Sequence, residues 1–202
     1  LKKFSAISVR EKSAVAICKE RFGVEAKHVL DPTMLLSSED YIPIFEQENT
    51  PKSRGTLAIY VLDENPQIDA FIRKQSSQKS LIPFRTNSKV ENHNAKLSER
   101  QQPPVECWLR AFHDAKFVIT DSFHACVFSI LFHKPFICIG NKSRGMSRFD
   151  SLLNMFGLEN RLVDINDIVD YVEKEIDWEH VDKVLAQKRK EAFHFLNQAL
   201  QS

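Results

Sequence analysis

Short apolar runs alternate with helical stretches along most of this chain, and that alternation constrains its fold more than any other feature. Thr56–Leu62 (T-L-A-I-Y-V-L), Ser80–Phe84, Phe117–Thr120 (F-V-I-T) and Pro135–Ile139 (P-F-I-C-I) read as strands, with Leu162-Val163 as a last short one. Between them, Asn65-Pro66 opens a helix to about Gln75, with proline at the favoured first position. Pro103-Pro104 opens another to about Ala115 that carries Val105, Trp108, Leu109 and Phe112 on one face. Ser122–Phe132 is an apolar helix and Arg148–Phe156 a further one. Two helices close the chain, Asn166–Glu175 with Asn166 as its cap and one from about Trp178 onward, while Arg85–Gln102 reads as a long polar surface loop. Strands separated by helices of about 10–12 residues need right-handed crossovers and a parallel sheet covered on both faces. The predicted fold is therefore α/β, a Rossmann-like doubly wound parallel sheet from about Thr56 onward.

The first 48 residues show a smaller version of the pattern. Ser5–Val9 reads as a strand, Glu11–Phe22 as a helix with Val15, Cys18 and Phe22 on one face, and Gly23 as its left-handed stop. His28–Leu30 is a second strand, closed by Asp31-Pro32, and Glu39–Gln47 is a short connecting helix. Asn49–Gly55 (N-T-P-K-S-R-G) has the composition of a linker. The expected organisation is residues 1–48 as the tail of a truncated N-terminal Rossmann-like domain plus connector, 49–55 as linker, and 56–202 as a C-terminal Rossmann-like domain with C-terminal helices. The chain opens on Leu1 in mid-pattern, which points to a fragment of a longer protein.

Composition narrows the function classes. A net charge of +1 over 202 residues lacks the basic excess of a nucleic-acid binder, so any anion site is local. The longest apolar run, about Ala125–Leu131, is far short of the ~20 residues of a membrane span. Cys18, Cys107, Cys126 and Cys138 are scattered in apolar patterns, as buried reduced thiols are, and the expected location is cytoplasmic. No histidine pair has a metal-ligand spacing. Neither G-x-G-x-x-G, nor G-x-x-x-x-G-K-[ST], nor G-x-S-x-G occurs, so no dinucleotide cofactor, P-loop or hydrolase elbow is expected.

In a parallel sheet, ligands bind beyond the carboxyl ends of the strands. Two loops fall on that edge, Thr120-Asp121-Ser122-Phe123-His124 and Gly140–Arg148. If Asp121 or Ser122 caps the following helix, His124 lies in its first turn, where backbone amides favour anions and an imidazole can act as an acid. The second loop carries Lys142, Arg144 and Arg148, cations suited to carboxylate or phosphate, with Ser147 as a candidate cap. Read alone, His124 is equally a residue that satisfies backbone at a helix start, and the second loop a solvated basic turn.

The run Val118–His124, the apolar helix after it, Lys134-Pro135-Phe136, Gly140-Asn141-Lys142 and Arg144–Phe149 together resemble the C-terminal signature of polysaccharide pyruvyl transferases. Ile7-Ser8-Val9-Arg10-Glu11 and Val29–Thr33 resemble that family's end-of-first-domain motif. The resemblance implies a GT-B-type transferase of two Rossmann-like domains, this chain being its C-terminal portion. The donor substrate would be phosphoenolpyruvate, with no cofactor and no metal. The acceptor would be a glycan or a lipid-linked sugar, the product a pyruvate ketal, and the location cytoplasmic or peripheral to the membrane where such sugars are made. His124 matches the family's active-site histidine, and Arg10 would hold the carboxylate or phosphate. Ser122, Asn141, Lys142, Arg144 and Arg148 would support substrate binding. The missing N-terminal domain would shape the acceptor pocket, so the fragment alone is expected to be inactive. Two positions depart from the pattern: Ala125 stands where the family usually has glycine, and Ser122 where some members have arginine. Two other readings remain open, a nucleotide-sugar glycosyltransferase of similar fold and a non-catalytic anion- or glycan-binding module.

Overall fold

The computed structural model describes residues 1–63, 65–88, 94, 96–140, 145–168, 171 and 174–201. It divides into two compact units, residues 1–37, 142–162 and 176–202 in one, and 38–141 and 163–175 in the other. Neither unit is continuous in sequence, and the boundary runs through other residues than the expected linker at 49–55.

The second unit holds a five-stranded parallel sheet flanked by helices, the Rossmann-like doubly wound fold expected. Its elements are α2 (Ser38–Gln47), β3 (Leu57–Tyr60), α3 (Pro66–Lys79), β4 (Pro83–Arg85), α4 (Leu97–Arg100), α5 (Val105–Asp114), β5 (Phe117–Thr120), α6 (Phe123–Leu131), β6 (Phe136–Gly140) and β7 (Leu162–Asp164). The order across the sheet is β4-β3-β5-β6-β7. Leu57 pairs with Phe117 and Val118 with Phe136, so β3, β5 and β6 run side by side in one direction.

The central strands β3, β5 and β6 read as continuous apolar runs because both of their faces are covered. Leu57, Ile59, Val61, Phe117, Ile119, Ile137 and Ile139 face Ile68, Phe71 and Ile72 of α3 in one core. Alternate residues form the other face, where Tyr60 meets Trp108 of α5 edge-on at 5.5 Å and Trp108 meets Phe128 of α6 at 5.1 Å. Asn65 caps α3 by accepting from the Gln67 amide, with Pro66 at the first position as expected. The helix runs on past Gln75 to Lys79, because Ser80 takes the left-handed position (φ 52°) that ends it. The expected loop 85–102 contains α4. The helix expected over 166–175 is not formed by its described residues: 165–167 make a turn in which the Asp164 carboxylate accepts from the Asn166 amide.

The first unit contains a parallel pair, β1 (Ser8–Val9) and β2 (Lys27–His28), with α1 (Lys12–Phe22) between them. Both strands are shorter than expected, because each has only the other as a neighbour in a two-stranded ladder. Gly23 ends α1 at φ 62°, as its sequence position predicts. 3-10 turns at Pro32–Leu35 and Glu159–Arg161, α7 (Ser147–Phe156) and α8 (Trp178–Gln201) also belong to the unit. Arg189 of α8 donates to the Met34 and Leu36 carbonyls around the first of these turns. None of the four cysteines is in a disulfide; three are buried and Cys107 is half-buried.

Gly55 sets how closely β3 and β4 approach. A Cβ there would lie 2.4 Å from the Ile82 carbonyl oxygen, which accepts from both Thr56 and Leu57. Gly55→Ala should therefore cost about 1–3 kcal/mol, read as a lower midpoint in urea unfolding. An unchanged midpoint would contradict this packing.

Candidate functional site

The order of the sheet reverses once. The chain goes from β3 outward to β4, then returns to place β5 on the other side of β3. In doubly wound sheets the crevice outside the carboxyl ends of the strands at such a reversal is where ligands bind. Here those ends lead into residues 61–63 after β3 and 121–124 after β5.

Asp121 joins the two ends. Its side chain is buried, at 2% residue exposure, and accepts from the Leu62 amide at 2.8 Å and the Asp63 amide at 2.9 Å. Beside it, the Thr120 hydroxyl donates to the Tyr60 carbonyl at 2.6 Å and accepts from the Ser122 amide at 3.0 Å. Side chains of the β5 turn thus hold the backbone of the β3 turn. Burial raises the Tyr60 phenol above its ordinary pKa, and the nearby Asp121 carboxylate pushes the same way, so Tyr60 stays neutral.

His124 is exposed at the second position of α6, directly after this fixed turn. Its ring meets the buried Phe123 ring edge-on at 5.4 Å. Ser122 is the N-cap residue, with extended backbone and no side-chain capping bond. Of the two caps weighed from sequence, neither acts through its side chain: Asp121 spends its carboxylate on the β3 turn. Ala125 is fully buried, so its methyl packs in the core while His124 faces solvent. The arrangement offers an exposed imidazole, able to give or take a proton, on a rigid helix start whose first-turn amides favour an anion.

In the other unit, Arg10 follows β1 and donates to Asp31 at 2.6 Å; the two side chains are 38% and 3% exposed. Burial alone would raise the Asp31 pKa, but bonds from Thr33 and Arg10 outweigh it and hold the carboxyl below its usual range. His28 donates through Nε2 to the Arg10 carbonyl (3.2 Å) and lines a cleft of about 740 Å³ with Lys12, Asp150 and Lys188. Burial lowers its pKa, Lys188 and Lys12 add to that, and the Arg10 carbonyl opposes it.

Of the residues singled out in the sequence, the structure brings Ser122 and His124 together. Arg10 and Arg148 belong to the other unit, where the Arg148 guanidinium stacks 5.0 Å over the Phe149 ring and its buried Nε has no hydrogen-bond partner among the described residues. Asn141, Lys142 and Arg144 lie outside the described residues. Ser147 is not a cap: Met146 holds that position, and the Ser147 hydroxyl donates to Glu11 at 2.6 Å. Sequence reasoning missed the partners of Asp121 and the part played by Tyr60. The one available signal was an acidic residue directly after a fully buried strand, Phe117–Thr120, where a buried carboxylate needs donors.

Asp121→Asn should leave one of the two β3-turn amides facing an NH2 group. The expected loss is about 1–3 kcal/mol in urea unfolding, with reduced hydrogen-exchange protection at Leu62 and Asp63. Unchanged protection would remove Asp121 from its structural role. For His28, the native pKa lies below the ordinary 6.5, so the unfolded chain binds more protons in that window. Stability should rise with pH through the window and fall on acidification below about 6.5, and His28→Asn should flatten this slope. Asp31 acts at lower pH: its contribution, present above 3.8, is lost as pH falls through its depressed native value. Unfolding measured at about pH 5, 6 and 7 checks the His28 slope.

No helix among the described residues is long and apolar enough to cross a membrane. No curated protein matches the chain closely enough to count as a relative. The family described as polysaccharide pyruvyl transferase does match, over residues 1–143, a stretch that includes Arg10, the Asp121 turn and His124 and stops short of Arg144 and Arg148. With well over half of its length matched, this chain belongs to the polysaccharide pyruvyl transferase family.

Proposed function

We propose that this chain transfers the pyruvyl group of phosphoenolpyruvate onto two hydroxyls of a sugar in a cell-surface polysaccharide or its precursor, forming a ketal. The observation that carries the reading is the exposed imidazole of His124 at the strand-order reversal of a chain that belongs to this family. In the proposed reaction His124 protonates the methylene carbon of the enolpyruvyl group, which becomes the ketal methyl. The resulting cation at the adjacent carbon is attacked by one sugar hydroxyl. Departure of phosphate then opens the same carbon to the second hydroxyl. One hydroxyl proton restores His124 and the other leaves with phosphate, so the sum balances without an oxidant or a cofactor.

The first-turn amides of α6 favour the negative charge of the donor. Arg10, partly exposed while bound to Asp31, is the proposed holder of a carboxylate or phosphate, because a guanidinium offers donors on several edges. Ser122, Asn141, Lys142, Arg144 and Arg148 complete the proposed substrate-binding set. The proposed setting is the cytoplasm, at the membrane surface where lipid-linked sugars are assembled.

The test is release of inorganic phosphate from phosphoenolpyruvate in the presence of candidate glycans. His124→Ala should lower the rate by about 100-fold or more, the usual worth of a positioned acid. Its thermal unfolding should be near that of the parent, because the side chain is exposed. Near-normal turnover in the variant would remove His124 from the mechanism. Thermal stabilisation by nucleotide sugars and not by phosphoenolpyruvate would overturn the donor assignment.

A further inference from the structure

Tyr60 is the last residue of β3, at the carboxyl end of the sheet where the strand order reverses. It pairs in register with Thr120 of β5, so both side chains rise from the same face of the sheet. On that face the Tyr60 ring meets Trp108 of α5 at 5.5 Å and Phe112 at 6.4 Å, edge-on in both cases. Trp108 in turn meets Phe128 of α6. Thus α6 packs on the face from which Tyr60 rises, and its first turn, which carries His124, begins at the same edge of the sheet. Tyr60 and His124 lie in one compact unit, on neighbouring strand ends.

The Tyr60 hydroxyl has no hydrogen-bond partner among the described residues, although the side chain is half-buried. Its oxygen is not sealed in the core and keeps contact with solvent. A tyrosine hydroxyl in such a setting usually has a partner, and this one is open to a ligand entering the crevice. Burial, with the Asp121 carboxylate behind it, keeps the proton on the phenol, so the group can donate and is neither a base nor an anion. Asp121 is not its acceptor: the two carboxylate oxygens take the Leu62 and Asp63 amides. A neutral donor on the same edge as the first-turn amides of α6 suits an anionic oxygen.

We propose that Tyr60 is a substrate-contacting residue of this site, its hydroxyl donating to a carboxylate or phosphate oxygen of phosphoenolpyruvate from the β3 side of the crevice while His124 acts from the β5 side. The inference rests on the pyruvyl-transfer reading and adds a residue to it. Packing of the ring against Trp108 and Phe112 fixes the hydroxyl, and the hydroxyl fixes one oxygen of the donor.

Tyr60→Phe deletes the hydroxyl and keeps the ring against its neighbours, so its thermal midpoint should match that of the parent. By calorimetry the variant should bind phosphoenolpyruvate about tenfold more weakly, in keeping with the loss of a hydrogen bond to a charged group. A second measurement needs no variant beyond assignment. The chain has three tyrosines, and with all of them isotope-labelled at Cζ the Tyr60 resonance is the one missing from Tyr60→Phe. In the parent it should move saturably with phosphoenolpyruvate. Pyruvate and inorganic phosphate, titrated separately at constant ionic strength, tell which end of the donor the hydroxyl holds: a shift with pyruvate assigns the carboxylate, and a shift with phosphate the phosphate. A still Tyr60 resonance while the parent binds phosphoenolpyruvate, or equal affinity in Tyr60→Phe, overturns the contact and leaves the donor assignment standing. No binding of phosphoenolpyruvate to the parent overturns the donor assignment and the contact with it.

Discussion

Two backbone amides at the end of β3 need an acceptor, and the buried Asp121 carboxylate supplies it. After Tyr60 the chain leaves the sheet, and the Leu62 and Asp63 amides have left the strand ladder that satisfies their neighbours. A carboxylate at 2% exposure is itself costly unless several donors reach it. Each deficiency cures the other across nearly sixty residues of sequence. The bond also fixes the one place where the sheet reverses its order, so the geometry of the crevice follows from it. The Thr120 hydroxyl, bridging the Tyr60 carbonyl and the Ser122 amide, repeats the same logic one residue earlier.

That buried frame gives the proposed acid, His124, a fixed base. Phe123 and Ala125, on either side of His124, are both buried, so the backbone around the imidazole is anchored in the core from two directions. The imidazole itself stays in solvent, where it can exchange protons. Rigid support under a reactive side chain is what lowers the cost of reaching a productive geometry. The alanine after the histidine fits the same picture, because its methyl adds to core packing on the inner face of α6.

The central strands β3, β5 and β6 were legible in the sequence because each is buried on both faces and therefore reads as a nearly unbroken apolar run. Asn65-Pro66 and Gly23 were legible because capping chemistry is local: one residue type, one backbone conformation, one helix end. The role of Asp121 was not, since it depends on amides that only the folded sheet brings near. The same holds for Ser147, whose hydroxyl turns to Glu11 instead of capping α7. The turn at Asp164-Asn166 was misread because an asparagine before an apolar stretch signals a helix start. Here the Asp164 side chain captures the Asn166 amide in a tight turn, the competing local use of the same residue types.

Which segments fold together was the least legible property of all. A helical pattern gives the length of α7 and α8 and says nothing of their partners. In the structure α7 packs on α1 and α8 on the Pro32–Leu35 turn, so the segment 1–37 is completed by residues more than a hundred positions away. The family match ends at residue 143, before either helix begins. Arg10 and Asp31, both inside the match, thus sit in a unit whose packing comes largely from outside it. Arg189, holding the carbonyls on both sides of Leu35, shows how: a guanidinium from the last helix satisfies backbone that a two-stranded ladder cannot reach. Chemistry-bearing residues can therefore follow the family pattern while the scaffold that positions them is built from sequence the pattern does not describe.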